Sequence, residues 1–504
     1  MKLDIAWRHA EKASKAALII FWGAVLVLAV LGLGNYTGQG YVFALFTVAS
    51  NMLLYYGFRK NAIFFDTFIG LFTWLGFWLK FTIRINFSGG LFHDPVGAFN
   101  GSGAAFDQAL LVSSCGLFGF LLASIIREKF FNHHSQQITG ISQQGLFTFY
   151  KAHRNAILFG FVALFLIVGI SNVYLGIYQR GTITRTTLPF GLNGAYTWLL
   201  LFGLATISAF ILKFELEIHK KIPNIVMFLA LLESFVSSVS LLSRGMILNS
   251  SALLYGIYVT LKSYSIKSKL RFFIITIIVF MTLFVSSIVT VNYFRASLFA
   301  YDLPMPESTK LQPLRNLTKQ NLTKQNLTIY DLTMPLFIDR WIGIEGVMTV
   351  SSYSQLGWNL WRDAWRETYN ENKASFYDNN LTGSVYTKEQ TAKHHFLSLP
   401  GIIAFFFYPG SFLFLFVSMF ALGGMGATIE TFARKVGGNN AILCALIAQV
   451  VAYRYMHFGY VPGQSYLLFG AIFLNCTFIY LANKALLLKY KKNQLVARNE
   501  NSSE

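Results

Sequence analysis

The sequence predicts an all-α polytopic membrane protein with about twelve transmembrane helices and one large loop late in the chain. Three observations carry this. Of 504 residues, 54% are hydrophobic and only 12% are charged, and the mean hydropathy is +0.50. Soluble domains carry about 25% charged residues, so this chain could not cover its surface in water. Apolar runs of membrane-spanning length recur from end to end, and basic residues gather in alternate loops. A soluble enzyme, a disordered protein and a nucleic-acid-binding domain are excluded on these grounds.

Spans of about 20 apolar residues fall at 15–34, 41–58, 62–84, 107–126, 155–176, 193–213, 222–243, 249–266, 271–292, 396–422, 438–455 and 463–483. The second and eighth are short or polar. The first is not a cleavable signal peptide, because its leading segment MKLDIAWRHAEKASK is long and no small-residue cleavage site follows. Residues 1–292 thus form an N-terminal membrane domain of about nine spans. Residues 293–395 form a loop, 396–483 the C-terminal spans and 484–504 a tail. Cys115, Cys444 and Cys476 lie in apolar runs and read as small core residues.

The 41 Lys and Arg against 22 Asp and Glu first report topology. Arg8, Lys12 and Lys15 precede span one, and Arg59 and Lys60 follow span two. Arg127, Lys129, Lys151 and Arg154 follow span four, and Lys213, Lys220 and Lys221 follow span six. Lys262, Lys267, Lys269 and Arg271 follow span eight, Arg434 and Lys435 span ten, and Lys489, Lys491, Lys492 and Arg498 span twelve. With twelve spans all these segments share one side. The positive-inside rule makes that side cytoplasmic, with both termini inside.

The opposite face carries the 293–395 loop, much longer than a usual connector. Its first part, 302–330, holds the polar repeat NLTKQNLTKQNLT at 316–328 and reads as a flexible spacer. Each Asn-Leu-Thr triplet also matches the glycosylation acceptor pattern. Its second part, 335–380, is predicted to fold as short helices on the outer face, since DRWIGIEGVMTVSSYSQLGWNLWRDAWRETYNENKASFYD mixes aromatics with charges. Trp358, Trp361 and Trp365 read either as interfacial anchors or as a platform for sugar rings.

Arginines dominate the polar groups of the outer side. Lys80 and Arg84 close span three, Arg180 and Arg185 follow span five, and Arg244 ends span seven between Ser243 and Gly245. Arg340, Arg362 and Arg366 lie in the long loop, and Arg454 and His457 end span eleven. One arginine at a helix end can snorkel to the interface. So many on the face that normally lacks positive charge point to an anionic lipid head group or a phosphorylated substrate, because guanidinium forks match phosphate oxygens. Glu233, inside span seven, is expected to pair with a cation in the bundle interior. The acid and base candidates are Asp94, Asp339, Glu345, Asp363, Glu367, Asp378, His93, His394, His395 and His457. His93-Asp94-Pro95 equally suits a turn in a glycine-rich loop. No phosphate-binding glycine loop or dinucleotide fingerprint is present, and the first outer loop, NYTGQG, carries no acid.

With these features the chain resembles the bacterial O-antigen polymerases, which join undecaprenyl-diphosphate-linked oligosaccharide repeat units. The resemblance rests on about twelve spans, the late outer loop, Ser243-Arg244-Gly245 at a helix end and DRWIGIEG at 339–346. It departs from the related O-antigen ligases, which favour a His-x(4)-Gly signature; here five residues separate His395 from Gly401. The resemblance implies a GT-C-like glycosyltransferase architecture in the bacterial inner membrane. It also implies metal-independent sugar transfer on the periplasmic face, with no cofactor. Arg244 and Arg340 would neutralise the leaving diphosphate, helped by Arg362 and Arg366. Glu345, Asp339 and His394 compete as the group that takes the acceptor proton. Arg180, Arg185, Lys80, Arg84, Trp358, Trp361, Arg454 and His457 are the further substrate-binding candidates. The implied partners are the lipid-linked donor and acceptor, membrane lipids, a chain-length regulator and a flippase, with no nucleic acid. A ligase-like transferase or a lipid-linked oligosaccharide flippase would want similar arginines.

Alkaline phosphatase fused after residue 330 should be active in a bacterial host, and a fusion after residue 135 inactive. The reverse pattern would overturn the orientation.

Overall fold

Helices make up nearly all the regular structure, and no β-strand occurs among the described residues. The computed structural model describes residues 2–60, 62–92, 94–131, 144–243, 245–264, 270–299, 337–383 and 397–501. The chain opens with α1 (Lys2–Asn35) and α2 (Gly40–Gly57). α3 (Phe64–Thr73) and α4 (Lys80–Phe87) form one span, joined through a π-helical turn at Trp74–Leu79. Next come α5 (Gly103–Phe131), the short α6 (Gln144–Ala152) and α7 (Arg154–Leu175). α8 (Leu192–Trp198) and α9 (Leu204–His219) again share one span across a π-helical turn at Leu199–Gly203. α10 (Asn224–Ser240), α11 (Met246–Ser263) and α12 (Leu270–Phe299) follow. α13 (Ile344–Ser351), α14 (Trp358–Trp365) and α15 (Ile402–Phe406) are short. α16 (Phe412–Val436), α17 (Ala441–Met456) and α18 (Ser465–Asn501) end the chain.

Eight helical segments among the described residues are long and apolar enough to cross a membrane: Ala16–Asn35, Phe64–Phe87, Gly103–Phe130, Arg154–Leu175, Pro189–His219, Arg271–Arg295, Phe412–Val436 and Pro462–Lys492. Four further helices, α2, α10, α11 and α17, lie at the other expected spans and run 16 to 18 residues. This is the architecture of a polytopic helical membrane protein. One boundary moves. The tenth span, expected at 396–422, is the helix Phe412–Val436. Pro409-Gly410 interrupts the apolar run, Gly410 takes φ +76°, and Ser411 caps the new helix by accepting from the Phe414 N–H.

α17 stands at the centre. It packs against α3, α9, α11 and α16. Asn440 caps it, its Oδ1 accepting from the N–H groups of Ile442 and Leu443 at 3.1 and 3.3 Å. Ala445, Ala448 and Ala452 are buried along it. Lipid tails are as apolar as leucine, so helices in a membrane associate through close packing at small residues. α1, α12 and α18 expose most of their apolar side chains and form the rim.

Ion pairs sort the connections into two ends. At one end Asp66 is bound by Arg59 and Arg127, and Glu215 by Arg154 at 2.5 Å. The Glu430 carboxylate on α16 accepts the first N–H groups of α3, from Phe64 at 3.2 Å and Phe65 at 2.8 Å, as helix N-termini favour. Lys213 donates to the Gly438 carbonyl at 2.7 Å. The basic residues expected in one set of loops therefore neutralise buried carboxylates at one end of the bundle. The other end gathers the described residues of the α4–α5 loop, residues 176–188, 241–243, 245, 337–383 and 397–411, and the turn after α17.

Segment 335–380 divides in a way its sequence pattern does not foretell. α14 does lie on the outside. α13 does not: Ile344, Glu345, Val347, Met348 and Val350 are at most 3% exposed, and the helix is inserted against α5 and α15. Its face is apolar on nearly every side, so burial beats the interface. The repeat at 316–328 and the spacer 302–330 lie outside the described residues.

Candidate functional site

Lys80 and Arg84 are one helical turn apart on α4 and face the same neighbour. Lys80 is 0% exposed, and its ammonium donates to Glu345 Oε2 at 2.8 Å, Oε1 at 3.0 Å and the Asp339 carbonyl at 3.0 Å. Arg84 grips the Asp339 carboxylate through Nε at 3.1 Å and a terminal nitrogen at 2.5 Å. These four predicted site residues do meet, but they satisfy one another. Burial pushes the Glu345 carboxyl above the usual carboxylate range; Asp94 adds to the effect and Lys80 opposes it. The glycines of DRWIGIEG have a packing role. A Cβ on Gly343 would lie 2.5 Å from the Gly76 carbonyl oxygen in the π-helical turn, and one on Gly346 would lie 1.9 Å from that of Pro400. The segment is thus clamped by two ion pairs and two backbone approaches.

The clamp presents Arg340 and Trp341. The Arg340 guanidinium sits 5.1 Å over the Trp341 ring, which stacks on Phe72 of α3. Phe72 in turn meets Tyr453 edge to face. Tyr453 and His457 are four residues apart near the end of α17, so they share a face, and their rings stack at 3.8 Å. His457 Nδ1 lies 3.1 Å from the Tyr453 carbonyl oxygen. It therefore donates there, and Nε2 carries the lone pair in the neutral imidazole. Arg180 reaches the Tyr453 hydroxyl at 3.4 Å, and its own N–H bonds the Leu241 carbonyl. Arg454 has a buried Nε with no hydrogen-bond partner among the described residues.

Burial first, then Arg180, and then Arg340 and Arg454, push His457 down to about 3, against the bond to Tyr453. Three guanidiniums therefore act on one imidazole. Among the described residues, no carboxylate acts on Arg180 or Arg454. Asp339 and Glu345 are taken by α4. Glu367 accepts the N–H groups of Phe376 and Val461, and Asp378 binds Ser375 and Ser398. Glu371 holds Thr184 through its N–H at 3.0 Å and its hydroxyl at 2.9 Å, tying the Arg180 loop to segment 366–376. The pocket is electropositive, aromatic and partly desolvated, a combination suited to a phosphate or diphosphate.

The remaining candidates fall elsewhere. Arg362 and Arg366 are exposed on α14, and Arg362 contacts Asn359 and Asp363. Trp358, Trp361 and Trp365 pack on Phe405, Phe406, Phe414 and Phe458, with Trp358 still 56% exposed. That arrangement anchors α14 to the bundle. The Arg185 stem covers Gly176. Arg244, His93, His394 and His395 lie outside the described residues. Tyr453, Phe72 and Trp341 went unnoticed as site residues in the sequence; the four-residue step from Tyr453 to His457 was the available signal. Glu233 lacks the expected cationic partner among the described residues and contacts serines.

Lys80→Met should cost about 3–5 kcal/mol by stranding the Glu345 charge, while the K80M/E345M double variant should recover most of it. Melting of the four proteins of this cycle in detergent checks the coupling; additive losses would mean that the groups do not interact. A second expectation concerns pH. An unfolded histidine takes its proton near pH 6.5, whereas folded His457 resists until about 3. The unfolded state binds more protons between these values, so stability falls as pH drops, by up to about 1.4 kcal/mol per pH unit. His457→Gln should flatten the melting profile from pH 6.5 to 4; an unchanged slope would assign the effect to other groups. No protein-family profile, no curated protein and no solved structure matches this chain.

Proposed function

We propose that the chain is a polymerase of undecaprenyl-diphosphate-linked oligosaccharide repeat units, with about twelve spans and a GT-C-like arrangement. In this reading it resides in the bacterial inner membrane with both termini cytoplasmic. The single observation that supports this best is the convergence of Arg180, Arg340 and Arg454 on Tyr453 and His457. It lies at the end of the bundle that gathers residues 337–383 and 397–411. Arg180 and Arg454, on which no carboxylate acts among the described residues, favour the leaving diphosphate over the uncharged acceptor sugar. The charge that develops as the glycosidic bond breaks is thereby stabilised.

His457 is the side chain best arranged to take the acceptor hydroxyl proton, through Nε2. Under the field of Arg180, Arg340 and Arg454 its basicity is low. A bound diphosphate cancels their charge and restores that basicity, so the base becomes competent when the donor is in place. Asp339 and Glu345 act in this reading as clamps for Arg340. The aromatic faces of Trp341 and Tyr453 line the approach for sugar rings.

Full-length protein in liposomes should convert lipid-linked repeat units into a ladder of longer glycans without nucleotide sugar. Arg180→Ala and Arg454→Ala should each lower the rate about 100-fold, while expression and insertion stay normal. Movement of the substrate across the bilayer with no change in length would replace polymerisation by transport. Transfer of a finished glycan to a lipid A-type acceptor only would replace it by ligation. Unaltered ladders from Arg454→Ala would remove the arginine pocket from the chemistry.

A further inference from the structure

Glu233 sits midway along α10 and is 1% exposed. The proposed transfer chemistry does not use it. Ser237, one turn further on, donates its hydroxyl to Oε1 at 2.8 Å, and Ser234 Oγ lies 3.5 Å from Oε2. From the neighbouring helix α9, Ser208 acts on the same carboxylate. Ser208 is itself 1% exposed and completes no hydrogen bond with any described residue. No ammonium or guanidinium among the described residues acts on Glu233. α10 also packs against the π-helical turn at Leu199–Gly203 that precedes Ser208, and such turns recur at functional sites.

A carboxylate in a bundle interior is costly to hold without a counter-charge. Among the described residues, the polar groups that act on this carboxylate are hydroxyls, one each from Ser208, Ser234 and Ser237, which with its own two oxygens make an all-oxygen set. Hard cations take this kind of donor set. One negative charge among neutral hydroxyls balances one positive charge. A divalent ion would leave net charge at membrane depth.

We propose that Glu233 with Ser208, Ser234 and Ser237 forms a binding site for a small monovalent cation of the Na⁺ type, joining α9 to α10 inside the bundle. The ion replaces the missing basic partner and gives Ser208 its contact. The site stands apart from the arginine pocket and does not depend on the polymerase reading. Na⁺ bound there ties α10, which leads into residues 241–243, to its neighbour α9, so occupancy stabilises that end of the bundle from within.

Full-length protein in lipid nanodiscs would be melted in NaCl, KCl and choline chloride at one ionic strength, and ²²Na⁺ binding measured directly. The expected result is saturable Na⁺ binding with a Na⁺-dependent rise in melting temperature. Glu233→Gln should abolish both, and Ser208→Ala and Ser237→Ala should weaken binding about tenfold. If Glu233→Gln fails to fold, the two serine variants carry the test. Equal melting in NaCl and choline chloride would overturn the site, as would undiminished ²²Na⁺ binding in both serine variants. A melting temperature that follows pH but ignores Na⁺ would assign the carboxyl a proton only, and would likewise overturn it.

Discussion

An ammonium cannot remain unpaired inside a helix bundle, and Lys80 is fully buried there. Its need for a counter-charge brings Glu345, together with the Asp339 carbonyl, into the protein. Arg84 repeats the demand one turn on and takes the Asp339 side chain. These two pairs convert part of a long outer loop into an inserted element. Removing one partner of such a pair is far worse than removing both, because a lone buried charge keeps its full desolvation cost. The position of Arg340, between Asp339 and Trp341, follows from the clamp.

The same constraint shapes the pocket by elimination. Acids near the outer end are already engaged: Glu345 and Asp339 by α4, Glu367 and Asp378 by backbone N–H groups, Glu371 by Thr184. Among the described residues, Arg180 and Arg454 gain no carboxylate. Their charge bears instead on His457, whose ring is fixed by stacking and by its Nδ1 bond to the Tyr453 carbonyl. A group held neutral by positive neighbours responds strongly to an arriving anion. Anion recognition and proton transfer are then linked by one electrostatic field.

The opposite end shows what arginines do when carboxylates are supplied. Arg59, Arg127, Arg154 and Arg434 all pair with buried Asp or Glu, and Glu430 also caps α3. Those charges knit loops together and are not available for ligands. Composition counts both kinds of arginine alike. Only their partners separate a structural cation from one that can serve a substrate.

The helical membrane class and the apolar helices long enough to cross a membrane were legible in the sequence, because hydropathy and span length are local properties that lipid enforces. The spacing of Lys80 from Arg84, and of Tyr453 from His457, was legible too, as a shared helix face. Which carboxylate would answer Lys80 was not, since Glu345 lies 265 positions away. The burial of α13, the shift of the tenth span to Phe412 and the lack of a cation beside Glu233 among the described residues were also beyond local reading. Each depends on which helices become neighbours, and in a membrane that is settled by close packing and charge satisfaction across the bundle rather than by the apolar pattern of any one segment.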